Sequence, residues 1–484
     1  MLHFRHIFVG TVIWIWIDTP KQVYFCPLDR EGLANDWADE NCYWSTSYAE
    51  AREKFVSLGN RLREQLMLSQ DDDSILDLLD VQSITYDIAD DSRHYKSLQA
   101  VDASSPQQIS PEKDTIDAIL LTIRVPTNHI DIIHSSGTHG VEGYLGSAVQ
   151  IRFLHELFLQ NEVLLKSNKQ DNASEHENNN IRKILLIHAV NPYGMRHHRR
   201  TNENNVDLNR NVLAADMVKA VTARDPNYFG YVDLDSALNP IGTSLPTQNG
   251  SDLPEQSSYD TIHAFLTEMW SISSVILSIL HIIATVGYTN AKRTMVSAQY
   301  HKNDGIFYGG NGRWENSVVA VQHAIDEFAG FLTSGEADAK SRVFWIDVHT
   351  GLGSYGRYTL IEREILNNNI WSSQLNAMIT KIEEKQASNS KAVSTGYEQT
   401  VGFINDIVLC PYPSCFAVTQ EFGTRPGVFV ALALVLENKG YHWGKREFAF
   451  LTSNAFQPQR LSWRRIALRG GIEMLQAALK FQPR

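Results

Sequence analysis

Apolar runs recur along this chain, and their lengths and endings set the expectation for its fold. Tyr48 to Leu66 (YAEAREKFVSLGNRLREQL) carries Ala, Phe, Leu and charge at helical spacing and predicts a helix. Ala118 to Ile123 and Ile130 to His134 are short, β-rich and apolar. The second leads into Gly137, Gly140 and Gly143 and then a helical stretch, Tyr144 to Phe158. Lys183 to Val190 (KILLIHAV) repeats this grammar and is stopped by Asn191-Pro192-Tyr193-Gly194; Val343 to Val348 (VFWIDV) is stopped at Gly351, and Phe416 to Gln420 is a further run. Strands alternating with helices predict an α/β protein with a central, mostly parallel or mixed sheet flanked by helices on both faces. Ligands of such sheets gather outside the carboxyl ends of the strands.

Two longer apolar runs bear on membranes. Ile7 to Ile17, behind Arg5 and His6, has the length of a signal-peptide core but contains Trp14 and Trp16 and no clear small-residue cleavage site. The expectation is therefore a cytoplasmic protein, with secretion through the apolar N-terminus as the alternative. Met269 to Tyr288 is long enough to span a bilayer, yet it contains Ser271, Ser273, Ser274, Ser278 and His281 and lies between the candidate metal ligands, so a buried helix is expected rather than a membrane span.

Residues 1–45 lack clear periodicity and read as an N-terminal extension; residues 46–484 read as one catalytic domain with insertions at about 165–182 and 212–300. Polar stretches at Gln170 to Asn180 and Pro246 to Tyr259 have the composition of exposed loops. The net charge of −12 is spread in short patches such as Asp71 to Asp73, which disfavours a nucleic-acid partner. Cys26, Cys42, Cys410 and Cys415 are too few for a disulfide scaffold and lack the spacing of a structural zinc site, so four free thiols are expected.

The chemistry is concentrated in four loops. Ser136-Gly137-Thr138-His139-Gly140-Val141-Glu142-Gly143 sets an imidazole and a carboxylate three residues apart at the start of a helix, where both side chains can face one metal ion. Alone, His-x-x-Glu is a weak pattern, but the neighbouring glycines allow close backbone approach at a strand end. His349, ending the run Trp345-Ile346-Asp347-Val348-His349, supplies a third candidate ligand. Two nitrogens and one carboxylate with an open fourth position is a catalytic zinc arrangement, and Asp207 could orient His139 from behind. Glu421 ends another strand, placed to take a proton from water.

Between these lie Asn191-Pro192-Tyr193-Gly194, Arg199-Arg200-Thr201-Asn202 and Val206-Asp207-Leu208-Asn209-Arg210-Asn211. With them the chain resembles the zinc carboxypeptidase (M14-like) superfamily, whose pattern runs His-x-x-Glu, Asn-Pro-x-Gly, an arginine, Asp-x-Asn-Arg-Asn, a lone His and then Glu. More closely it looks like a branch described only as a domain of unknown function, which shares the wording His-Gly-Val-Glu-Gly, Asp-Leu-Asn-Arg-Asn and Glu-Phe-Gly-Thr. The resemblance implies a Zn2+-dependent hydrolase that cleaves an amide beside a free carboxylate. It implies that Asn209 and Arg210 hold that carboxylate, that Arg199 or Arg200 polarises the scissile carbonyl, that Glu421 is the general base, and that Tyr397 acts near the leaving group. A guanidinium matches a carboxylate as a planar fork, and a second one can stabilise a developing oxyanion. Two features depart from the pattern: Glu142 and His349 are farther apart than in simple carboxypeptidases, and the segment before Glu421 is not recognisably theirs.

The expected substrate is a peptide, with an N-acyl amino acid as the alternative for a deacylase using the same residues. A scaffold that binds carboxylates without cutting is the third reading. Other enzyme classes find less support. The chain has no Gly-x-Ser-x-Gly elbow, and Gly440 to Lys445 has the wrong spacing for a phosphate loop. Gly351-x-Gly353-x-x-Gly356 matches a dinucleotide fingerprint, but Tyr358-Thr359-Leu360-Ile361 predicts a strand where the fingerprint needs a helix.

Overall fold

The computed structural model describes residues 39–68, 78–89, 113–125, 129–159, 180–240, 273–328, 343–363, 395–397, 400–409 and 415–481. Helix α1 (Tyr48–Leu68) opens on a reciprocal cap. Ser47 Oγ accepts from the Glu50 N–H at 3.2 Å, while the Glu50 carboxylate accepts from the Thr46 N–H at 2.7 Å, satisfying donors that the first turn leaves over. Strands β1 (Leu78–Asp87), β2 (Thr115–Val125) and β3 (Asp131–Ser136) follow, then helix α2 (Gly143–Leu159), strand β4 (Asn180–His188) and the short helix α3 (Pro192–Arg196). Helices α4 (Ala215–Ala223), α5 (Asp235–Leu238), α6 (Ser273–Val286), α7 (Tyr288–Val296) and α8 (Asn316–His323) precede strands β5 (Val343–Tyr355) and β6 (Tyr358–Arg363). The chain closes through α9 (Asp406–Leu409), strand β7 (Cys415–Gly423), and helices α10 (Gly427–His442), α11 (Ala449–Phe456) and α12 (Leu461–Lys480).

The seven strands form one sheet in the order β1-β2-β4-β3-β5-β7-β6. β4, β3, β5 and β7 run parallel, and β1, β2 and β6 join antiparallel at the two sides, which is the mixed α/β sheet expected. Successive side chains on a strand point to opposite faces. Ile132, Ile184, Leu186, Phe344, Ile346 and Val348 therefore meet α1, α2 and α12 on one face, while Ile133, Leu185, Ile187 and Trp345 meet α8 on the other. Burial on both faces explains why the parallel strands read as unbroken apolar runs. From β3 the chain crosses to β4 on one side, and from β5 it continues to β6 and β7 on the other. The crevice between the ends of β3 and β5 is thus a topological switch point, the place where open α/β sheets bind ligands.

Five features differ from the expectation. β1 was not anticipated, although Val81, Ile84 and Tyr86 are buried along it. β5 continues past Gly351 to Tyr355, because the positive φ at Gly351 and Gly353 lets the strand shift register against β7 without stopping. The apolar run at 269–288, described from residue 273, is a helix buried on one side only. Val275, Ile279 and Ile282 are buried while Leu277 and Leu280 are exposed, so it walls a cavity and does not thread the core. No single helix among the described residues is long and apolar enough to cross a membrane, although α6 and α7 pass that test jointly as a pair bent by 112°. Cys42 is disulfide-bonded, against the expectation of a free thiol, and Cys415 is free and buried; Cys26 and Cys410 lie outside the described residues. Of the expected extension, Tyr43 and Trp44 pack into the main core, with Trp44 centred 5.8 Å from Trp463.

Helix α2 seats itself on the strand ends through Gly146, where a Cβ would come within 2.6 Å of Ser136 Cβ and 3.3 Å of Val348 Cβ. Gly146→Ala is expected to destabilise the protein by about 1–3 kcal/mol through overpacking, which outweighs the helix propensity gained. The change should appear as a lower urea midpoint at unchanged m-value.

Candidate functional site

The loops after β3 and β4 are laced together before any chemistry is added. Val190 N–H donates to the Ser136 carbonyl and Asn191 N–H to that of Gly137 (2.9 and 2.8 Å), and Val141 N–H reaches the Arg199 carbonyl at 2.9 Å. The Asn191 side chain closes its own turn by accepting from Gly194 N–H at 2.8 Å and donates to the Arg200 carbonyl at 3.1 Å. A Cβ at Gly140 would overlap the Gly194 backbone, so the two loops touch where only glycine fits. These contacts are the local reason for the Asn-Pro-x-Gly wording.

His139, Glu142 and His349 meet at the crevice between β3 and β5. His139 Nδ1 stands 3.0 Å from Glu142 Oε1, His349 Nδ1 stands 3.0 Å from Glu142 Oε2, and the two Nδ1 atoms are 3.0 Å apart. All three residues are buried, and their ligand atoms lie close enough to hold one metal ion. The far nitrogens decide what faces inward. His139 Nε2 donates to Asp207 Oδ1 at 3.2 Å and His349 Nε2 donates to Asp347 Oδ2 at 2.6 Å; an ionised carboxylate accepts only, so each Nε2 carries the proton. Two imidazole lone pairs and a carboxylate then point at one another, which is repulsive without a positive charge among them. The donor set and its backing carboxylates fit a divalent cation.

The surrounding charges follow from this packing. Burial works against the Glu142 charge, but His139 and His349 outweigh it and hold its carboxyl below the usual range. Burial likewise opposes charge on His349, and the Asp347 and Glu142 carboxylates overcome it, pushing the imidazole well above its ordinary value. A cation at the same point would replace that proton. Asp207 is buried beside Arg200, His139 and Arg210 and is held well below the usual carboxylate range. Besides His139 it serves Arg200 Nε at 2.9 Å and caps the turn at Asn209 N–H at 3.0 Å.

Glu421 faces the same cavity. It pairs with His349 across β7 and β5, and its Oε1 accepts from Leu352 N–H at 2.8 Å. Strand alternation separates it from Gln420, which turns to the other face and donates to the Gly470 carbonyl. Burial, then the Glu142 carboxylate, push the Glu421 carboxyl up to about 7. Tyr397 also lines the cavity, its hydroxyl pushed up to about 12 by burial and by Glu421.

The two arginines expected to compete for one role part company. Arg200 lines the cavity, bonded to Asp207 and 3.4 Å from Glu142 Oε1, with its guanidinium 4.8 Å from the Phe307 ring centre. Arg199 turns away into a second pocket. There it binds Glu437 at 2.7 Å and Asn205 at 2.9 Å and stacks 3.3 Å over the Tyr441 ring, so the structure brings it to a buried ion pair and not to the site. Asn209 and Arg210 both line the cavity. Asn209 Oδ1 accepts from Ile404 N–H at 2.9 Å, and Arg210 donates to the carbonyls of Val296 and Asn209 while lying 5.8 Å from the Tyr397 ring and 5.3 Å from the Phe403 ring. Asp347 and Phe307 were not anticipated. Asp347 had a signal, because residues two apart on a strand share a face and Asp347 precedes His349 by two.

Together the fold and this crevice define an α/β protein with a buried His/Glu/His group able to hold a metal ion at the carboxyl ends of its parallel strands. Residues 110–469 match the model of the family described as "Protein of unknown function (DUF2817)", and the chain belongs to that family. No curated protein matches it.

Asp347→Asn should lower metal affinity about 10–100-fold, as loss of a carboxylate behind a ligating histidine does, read by competition with a chelating indicator. Arg199→Met should instead strand the Glu437 carboxylate and cost about 3–5 kcal/mol of stability in denaturant melts while metal affinity changes little.

Proposed function

We propose that this protein is a zinc-dependent hydrolase of the zinc carboxypeptidase type, cleaving an amide bond next to a free carboxylate. The observation that carries the proposal is the convergence of His139 Nδ1, His349 Nδ1 and a Glu142 oxygen on one point, with both Nε2 atoms held by carboxylates. Nitrogen and oxygen donors without thiolates, leaving one side to the cavity, suit catalytic zinc. When bound, the metal would supply activation of water and polarisation of the substrate carbonyl.

The chain's own residues divide the rest of the work. Arg210 and Asn209 hold the substrate carboxylate at one end of the cavity, beneath Tyr397. Arg200, fixed by Asp207, presents its guanidinium to the oxygen that gains charge as the carbonyl is attacked. Glu421 must be ionised to remove a proton from water. A cation among the ligands offsets the Glu142 charge that helps keep its carboxyl protonated. The carbonyl carbon then gains a bond to the water oxygen, the C–N bond breaks, and Glu421 returns its proton to the departing amine.

About one zinc per chain by elemental analysis, lost in His139→Ala, is the expected composition. Glu421→Gln should keep the zinc and lower kcat on peptides or N-acyl amino acids by at least about 100-fold, the scale of general base catalysis. A parent protein that takes up no zinc on reconstitution, or a Glu421→Gln variant as active as the parent, would sink the proposal.

A further inference from the structure

The cavity that contains the ligand group is divided in chemistry. Its polar residues, among them Arg200, Arg210, Tyr397 and Glu421, gather at the strand ends. Elsewhere the lining is mainly aliphatic, with Ile279, Ile282 and Ile283 of α6, Met295 of α7 and Ala431 and Leu434 of α10, while Lys292 of α7 also lines it with its Nζ 5.0 Å from the Tyr397 ring centre. Three helices contribute to this lining, which is more aliphatic surface than one amino-acid side chain would meet. Tyr288 lines the cavity and is 44% exposed, which places it at the mouth, and Gly287 beside it takes φ +79° where the chain turns between α6 and α7.

From this division we infer that the natural substrate is an amphiphile: an amino acid, recognised by its carboxylate, whose amide joins it to a long aliphatic acyl chain lying between α6, α7 and α10. The inference rests on the hydrolase reading and selects, within it, a deacylase of long-chain N-acyl amino acids. The reaction balances as simple hydrolysis, in which the acyl carbon exchanges its bond to nitrogen for one to the water oxygen. It releases a fatty carboxylate and a free amino acid.

Binding separates this inference from catalysis. Linear carboxylates from butanoate to dodecanoate have no bond to cleave and mimic the released acyl chain, so their affinities for zinc-loaded protein can be read by titration calorimetry below micelle formation. Transfer of methylenes from water predicts up to about fourfold per carbon, and at least about 100-fold across the series is expected. Ala431→Trp fills the aliphatic end and should weaken dodecanoate at least about tenfold, and butanoate much less. Hydrolysis of N-acetylglycine and N-dodecanoylglycine is then followed separately, with kcat/KM expected to rise with chain length. Affinity independent of chain length in the parent protein would overturn the inference and leave the hydrolase reading intact wherever N-acetylglycine or a peptide is still cleaved. Chain-length-dependent binding without cleavage of any amide would keep the apolar compartment and remove the hydrolase.

Discussion

Three electron-rich atoms pressed together inside a protein need a positive charge, and much of the architecture around His139, His349 and Glu142 answers that need. The two imidazoles cannot turn their protonated nitrogens inward, because Asp207 and Asp347 hold them from behind. Glu142 cannot swing away, because Thr350 N–H also donates to its Oε2 at 3.0 Å. Arg200 spans Asp207 and Glu142 and so balances charge on one side only. The group is preorganised for a cation because each member is held by a partner that is itself fixed by further hydrogen bonds, Asp207 by Arg200 and Asn209 N–H and Asp347 by Ser135 and Thr138.

The sheet makes this possible by delivering rigid strand ends to one place. Glu142 closes the 3-10 turn that leads from β3 into α2, while His349 and Glu421 lie on the neighbouring strands β5 and β7 in direct register. Sites built on strands and helices hold geometry better than sites built on free loops. The helices between β4 and β5 contribute differently: α6 and α7 carry no ligand, but with α10 they enclose an apolar space in front of the ligands.

Much of this was legible in the sequence, for identifiable reasons. The loop ligands could be read because glycine spacing and a three-residue offset constrain a helix start, and the strand residues because apolar runs end where the polar side chain begins. The choice between Arg199 and Arg200 was not legible, since consecutive residues in a turn have no periodicity to say which faces inward. The aliphatic wall was not legible either. A helix with apolar residues on both sides, such as α6, reads as buried, and only the fold shows that one side borders a cavity and the other solvent. Strand β1 escaped notice because Gln82, Ser83 and Thr85 dilute its apolar positions.

Arg199 and Arg200 are neighbours in the chain but belong to different parts of the molecule. One is committed to Glu437 on α10, the other to Asp207 beside the histidine. The peptide between them is held through both side chains. Since α10 also lines the cavity through Val430, Ala431 and Leu434, one helix both borders the apolar wall and anchors the residue next to the one that meets Asp207. Two consecutive residues thus tie the apolar wall and the ligand group to one short stretch of chain.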